Sequence, residues 1–253
     1  MDRMDYLMRD SFYAGVAEGT IGTERIIKML SVIDDQLVVE AKGIYSIEKF
    51  LIARRLMYWQ VYFHKTVIAA ENLLVKVLQR AKAVADSDPN LFATDSLNYF
   101  LRNKITREKM DVAKVEILNY FTSLDDDDIM VSAKSWTGHQ DKLLSLLSGN
   151  LIRRILPRVK ISDTPFEDNQ LKDLLTLTAK KYALDETESC YLVFTGIISN
   201  KTYSVKTENI KIIYNTGEIK DLTEASDIFQ LQNLNETKKK YFLCYPKDVG
   251  LNY

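Results

Sequence analysis

The residues with the densest chemistry stand at the start of the chain, in Met1-Asp2-Arg3-Met4-Asp5-Tyr6-Leu7-Met8-Arg9-Asp10-Ser11. If this segment is helical, Asp2, Tyr6 and Asp10 fall at i, i+4 and i+8 on one face, with Arg3 three residues before Tyr6. A carboxylate on such a face can hold a hard or borderline metal. The Arg3 fork can bind phosphate oxygens, and Asp10 can accept a sugar hydroxyl. The same spacing also suits an exposed helix laced with i,i+3 and i,i+4 ion pairs, so spacing leaves both readings open. A second stripe steps by three or four residues through Leu51, Arg54, Tyr58, Tyr62 and Lys65. A cation on an otherwise apolar stripe must be paired or must bind an anion, because an unpaired buried charge is costly. Either a bound anion or a salt bridge to an acid such as Asp5 or Asp10 satisfies that condition.

The elements that must position these groups read as helices through the first part of the chain, up to about Ile161. From Ile44 to Lys82 there is no Gly or Pro, and Ile47, Leu51, Tyr58, Val61, Ile68, Val75 and Leu78 recur at helical spacing, which predicts one long helix. Asp86-Ser87-Asp88-Pro89 stops it. Thr94-Asp95 can cap a shorter helix through Leu101. Further helices are expected over 106–124 and 139–156, with Pro157 ending the bundle. Asp125 to Asp128 reads as a solvated turn opening a helix, where acids suit the dipole, with a metal site as the lesser alternative. Beyond Pro157 the period changes. Residues 191–194, 210–214 and 241–245 are short, aromatic or β-branched, and bounded by turn residues, so they are expected as strands. Helical stretches over 167–182 and 222–231 alternate with them. The fold class expected is mainly α: a helical bundle over 1–161 followed by a small α+β domain over 162–253.

Composition bounds the function. Thirty-four Lys+Arg against thirty-five Asp+Glu leave a net charge of −1, so no global basic field marks a nucleic-acid or membrane-surface binder. No run approaches the roughly 18 apolar residues of a membrane span, and the first residues lack the apolar stretch of a signal peptide. With only Cys190 and Cys244, a reducing compartment, the cytoplasm, is expected. His64 and His139 sit in no paired-ligand spacing. Phosphate-loop, nucleophile-elbow and Cys-x-x-Cys motifs are all missing from the sequence.

The segment Asp2-Arg3-Met4-Asp5-Tyr6-Leu7-Met8-Arg9-Asp10-Ser11-Phe12-Tyr13-Ala14-Gly15-Val16 resembles the end of the catalytic half of HD-domain phosphohydrolases, and within them the deoxynucleoside triphosphate triphosphohydrolases. Leu51 to Lys65, with Arg54, Tyr58, Tyr62 and His64-Lys65 in register, resembles that family's following segment. The resemblance implies that Asp2 is the last ligand of a divalent metal and that Arg3 and Arg54 contact the triphosphate. It further implies that Tyr6, Asp10 and Tyr62 line the deoxyribose, with His64 and Lys65 as additional phosphate contacts. In the family a metal-activated water attacks the α-phosphate, releasing a deoxynucleoside and triphosphate. Homo-oligomers are common among its members. The family's other ligands come from a His and a His-Asp pair, and no His-Asp dipeptide occurs in these 253 residues. The expectation is therefore the C-terminal part of such an enzyme, with an incomplete metal site and inactive as an isolated chain. Alternatives are a non-catalytic nucleotide-binding, oligomerisation or regulatory module, and a nucleotide phosphomonoesterase of the same fold.

Overall fold

The computed structural model describes residues 2–200, 210–226 and 238–249. The first part runs α1 (Asp2–Ala14), α2 (Thr23–Lys28), β1 (Leu30–Ile33), β2 (Gln36–Glu40) and α3 (Ile44–Met57). A π-helical turn, Tyr58–Tyr62, then leads to α4 (Lys65–Ala85). Next come α5 (Asp95–Arg102), α6 (Arg107–Val112), α7 (Lys114–Ser123), α8 (Asp126–Trp136) and α9 (Lys142–Ile152). The remainder is β3 (Arg158–Ser162), α10 (Asp168–Tyr182), α11 (Glu186–Ser189), β4 (Phe194–Asn200), β5 (Lys211–Ile213), β6 (Ile219–Asp221), α12 (Leu222–Ala225) and β7 (Lys238–Tyr245). No helix among the described residues is long and apolar enough to cross a membrane.

Two compact units share the chain. Among the described residues one holds 2–64, 162–164, 196–200, 210–226 and 238–241, and the other 65–161, 165–195 and 242–249. This differs from the sequence division at 161/162, for a reason that local periodicity does not carry. In the first unit β5 returns from far along the chain to pair in parallel with β2, Val39 opposite Ile212, and β6 pairs antiparallel with β5. The sheet order is β1-β2-β5-β6, and a second sheet is ordered β3-β7-β4.

The mainly α expectation holds with corrections. The hairpin β1–β2 interrupts a region read as helical almost throughout. Its loop is Asp34-Asp35, both at positive φ (49° and 57°), the conformation of a two-residue hairpin turn, which Asp tolerates better than most residues. The long helix over 44–82 is two helices. Phe63 N–H donates to the Tyr58 carbonyl at 2.7 Å, a five-residue step, and Tyr58 and Trp59 each meet the Phe63 ring within 5.5 Å. Residues 106–124 divide into α6 and α7, and 139–156 shortens to α9. Residues 191–193 form turns in place of the expected strand, which begins at Phe194. The expected helix over 222–231 is observed as α12, and its remainder lies outside the described residues beyond 226. Asp125 does open a helix: it accepts from the Asp127 and Asp128 N–H groups while Asp128 accepts from Asp125 N–H, a capping box.

The first unit's core gathers Met4, Leu7, Ile26, Val39, Leu51, Met57 and Ile212. Full burial of one such side chain contributes about 1.5–3 kcal/mol. Helix α1 ends on Gly15 at φ 69°, with Gly15 N–H donating to Phe12 O and Val16 N–H to Ser11 O, a Schellman cap. The returning chain then crosses α1 so closely that a Cβ on Gly19 would stand 2.6 Å from the Leu7 carbonyl oxygen and 2.5 Å from Ser11 Cβ. Gly19→Ala should therefore cost about 1–3 kcal/mol. Urea unfolding checks this, and an unchanged midpoint would contradict it.

In the second unit the core is built around Trp136, Leu143, Leu144, Leu147 and Val77, and the Trp136 indole donates to the Phe92 carbonyl at 2.7 Å. Asp141 caps α9 by accepting from Leu144 N–H at 2.7 Å and receives the Arg80 fork at 3.1 and 2.6 Å. Burial alone would raise the Asp141 carboxyl. The Arg80 hydrogen bond, the Leu144 N–H and the Arg80 charge outweigh it and hold the group below its ordinary value. A carboxyl depressed on folding stabilises the protein above its unfolded value, near 3.9, and that contribution is lost as pH falls through the folded value. Asp141→Asn should thus lower stability at pH 7 by about 1–3 kcal/mol. The gap to the parent should narrow below about pH 4. A gap independent of pH, in urea melts between pH 7 and 2, would contradict this.

Candidate functional site

The sequence of α1 places Met4, Leu7 and Ser11 on its buried face. That anchoring sets the neighbouring face, with Tyr6 and Asp10 half-buried, along the edge of the core. From α3, Leu51 and Met57 are buried and Arg54 is half-buried. The π-helical turn then swings Tyr58 and Tyr62 toward α1. π-Helical turns are rare, and they occur often at functional sites.

Five of these side chains meet. The Tyr62 hydroxyl donates to Asp10 Oδ2 at 2.6 Å. Arg54 hydrogen-bonds Tyr6, and its guanidinium lies 5.7 Å from the Tyr58 ring centroid. The Tyr62 ring meets Tyr58 edge-on at 5.1 Å and Tyr6 at 6.4 Å. Burial pushes the Tyr62 hydroxyl well above its ordinary value, and donation to Asp10 adds to the shift. Burial and the neighbouring Tyr58 raise Tyr6 as well, with the Arg54 and Arg3 charges pulling the other way. Both phenols therefore remain protonated donors at neutral pH. Tyr58 belongs to the cluster although the sequence reading assigned it no role. Its place on the Arg54 stripe was the available signal.

The remaining expected residues sit further out. Arg3 is exposed on α1, near enough to Tyr6 for its charge to be felt. Asp5, the alternative partner for Arg54, pairs with Arg9 at 3.1 Å, and Asp10 is engaged by Tyr62. His64 and Lys65 are exposed, at the last residue of one unit and the first of the other. Phe12 and Tyr13 are about four-fifths exposed and pack edge-on against each other at 5.3 Å. Asp2 is exposed in the first turn of α1, and among the described residues no three His, Cys, Asp or Glu groups gather to hold a metal. Among the described residues the divalent ion implied by the resemblance would meet only Asp2 of its expected ligands. Asp2 supplies at most one carboxylate toward it. What the cluster offers is two cations beside two protonated phenols and a hydrogen-bonded carboxylate, a surface suited to a polyanion carrying a hydroxylated ring.

Comparison with known proteins bears on this arrangement. Residues 21–116 match the family described as HD associated region. The uncharacterized protein YwfO of Bacillus subtilis is 31% identical over 257 residues, a match covering 98% of this chain and 55% of that protein. A crystal structure of a phosphohydrolase from Bacteroides thetaiotaomicron superimposes with a TM-score of 0.87 at 46% identity, covering 96% of this chain and 60% of that one. The deoxynucleoside triphosphate triphosphohydrolase SAMHD1 homolog of Dictyostelium discoideum is 31% identical over 97 residues, 38% of this chain and 18% of that protein. The chain spans little more than half the length of the first two. Through the HD associated region, the phosphohydrolase neighbour and the Dictyostelium relative, the chain is thus similar to HD-type phosphohydrolases.

Proposed function

We propose that this chain forms the substrate-binding side of an HD-type phosphohydrolase acting on deoxynucleoside triphosphates. The observation that carries the reading is the Arg54–Tyr6 and Tyr62–Asp10 pairing across α1, α3 and the π-helical turn. Arg54 and Arg3 would bind phosphate oxygens, where a planar fork matches the anion's geometry. Asp10, held in place by Tyr62, would accept a sugar hydroxyl, and the Tyr6 and Tyr62 rings would pack against the ribose carbons. Cleavage would release the deoxynucleoside and triphosphate. The chemistry of a divalent ion would have to rest on ligands beyond those described here, so no bond-breaking step is assigned to these residues. Their role is binding and orientation.

The test uses the natural protein, captured from its source cells with an antibody to the C-terminal residues and incubated with deoxyguanosine triphosphate and Mg²⁺ or Mn²⁺. Triphosphate release supports the reading. Orthophosphate release would favour the phosphomonoesterase alternative, and saturable binding without turnover the regulatory module. Neither binding nor turnover would overturn all three.

A further inference from the structure

The second unit contains a cavity of about 270 Å³ that the proposed function does not use. Tyr182, Tyr191 and Phe194 line it together with the aliphatic Leu73 and Leu192, and the polar groups reaching it include Asn150 and Asp248. We infer that this cavity binds an uncharged, planar heteroaromatic ring bearing an amino group beside a ring nitrogen, the pattern of adenine or cytosine.

Four observations support this. First, the aromatic walls are held in place. The Lys76 ammonium lies 4.7 Å from the Phe194 centroid and 5.6 Å from that of Tyr191, and the Arg80 guanidinium lies 5.8 Å from Tyr191. Arg80 is itself fixed by Asp141 and Glu188. Rings braced in this way offer apolar surface with little left to order on binding. Second, the carboxylate at the cavity is oriented and neutralised: Tyr182 donates to Asp248 Oδ1 at 2.8 Å, and the Lys181 ammonium pairs with Oδ2 at 2.9 Å. Lys181 also donates to the Asp248 carbonyl at 2.6 Å, fixing the backbone there. The carboxylate oxygens keep lone pairs able to accept from an amino group, while its charge is already answered, which disfavours a cationic ligand. Third, Asn150 lines the cavity, and an amide side chain carries a donor and an acceptor side by side. That pair matches the amino group and ring nitrogen of a base, as amide and carboxylate side chains match base edges elsewhere. Fourth, the volume lies just below the roughly 300–1,000 Å³ of ordinary small-molecule pockets, room for one ring system and too little for a nucleotide with its phosphates.

The experiment titrates the full chain with adenine and with cytosine by calorimetry and by amide-resonance shifts. Cyclohexanecarboxamide, which has the polar edge without the aromatic ring, and benzoate, which has the ring with a negative charge, serve as controls. Saturable binding of at least one base, about tenfold or more tighter than either control, is expected. Phe194→Leu, which keeps apolar volume and removes the ring, and Asn150→Ala should each weaken that base about tenfold, with melting temperatures confirming that the variants fold. No saturable binding of either base to the parent chain would overturn the inference whatever the variants do. So would equal binding of cyclohexanecarboxamide, or base binding untouched by both substitutions. Triphosphate release by the natural protein plays no part in this readout, so failure here is distinguishable from failure of the proposed function.

Discussion

On the proposed function, Arg54→Ala should lower the affinity of this chain for deoxyguanosine triphosphate about tenfold to a hundredfold, while affinity for deoxyguanosine should change far less. A hydrogen bond to a charged group contributes about 1.5–3 kcal/mol, and each 1.4 kcal/mol is a factor of ten. Arg54 is the half-buried cation of the cluster, so less water screens its contact than screens exposed Arg3. Arg54→Lys keeps the charge and loses the fork, and should recover only part of the affinity. Calorimetry on the folded variants, with nucleotide and nucleoside compared side by side, checks the result. Equal losses for the two ligands would place Arg54 in the support of the Tyr6 and Tyr58 rings and not at the phosphates.

Leu7→Ala costs about 2–5 kcal/mol and weakens nucleotide binding with it. Leu7 has no exposed surface, and with Met4 it fastens α1 to the core that also holds Leu51 and Met57. Loosening that contact frees the helix that presents Tyr6 and Asp10. Met8→Ala, one residue away at 42% exposure, should change stability by less than about 0.5 kcal/mol. Urea unfolding of both variants checks the contrast. Similar losses would mean that α1 is not anchored by this face.

The meeting of Arg54 and Tyr62 with the first helix was more legible in the sequence than the fold around it. The i, i+4, i+8 spacing of Asp2, Tyr6 and Asp10 belongs to a helix that forms, and Arg54 and Tyr62 do meet that helix. The π-helical turn was not legible, because Tyr58 to Phe63 fits a 3.6-residue period as well as a wider one. Packing of the Tyr58, Trp59 and Phe63 rings accompanies the wider turn. The hairpin had a local signal in Asp34-Asp35 between apolar runs, masked by the helical stretches on either side. Parallel pairing of β2 with β5 had none, since the partners are more than 170 residues apart and only their meeting makes them a sheet.

The most direct test of the central claim is the phosphate product formed from deoxyguanosine triphosphate by the natural protein and by its Arg54→Ala variant. The account predicts inorganic triphosphate from the parent and a rate at least tenfold lower from the variant, in line with the loss of one charge-assisted contact. Turnover by the parent that Arg54→Ala leaves unchanged, or release of orthophosphate alone, would contradict it.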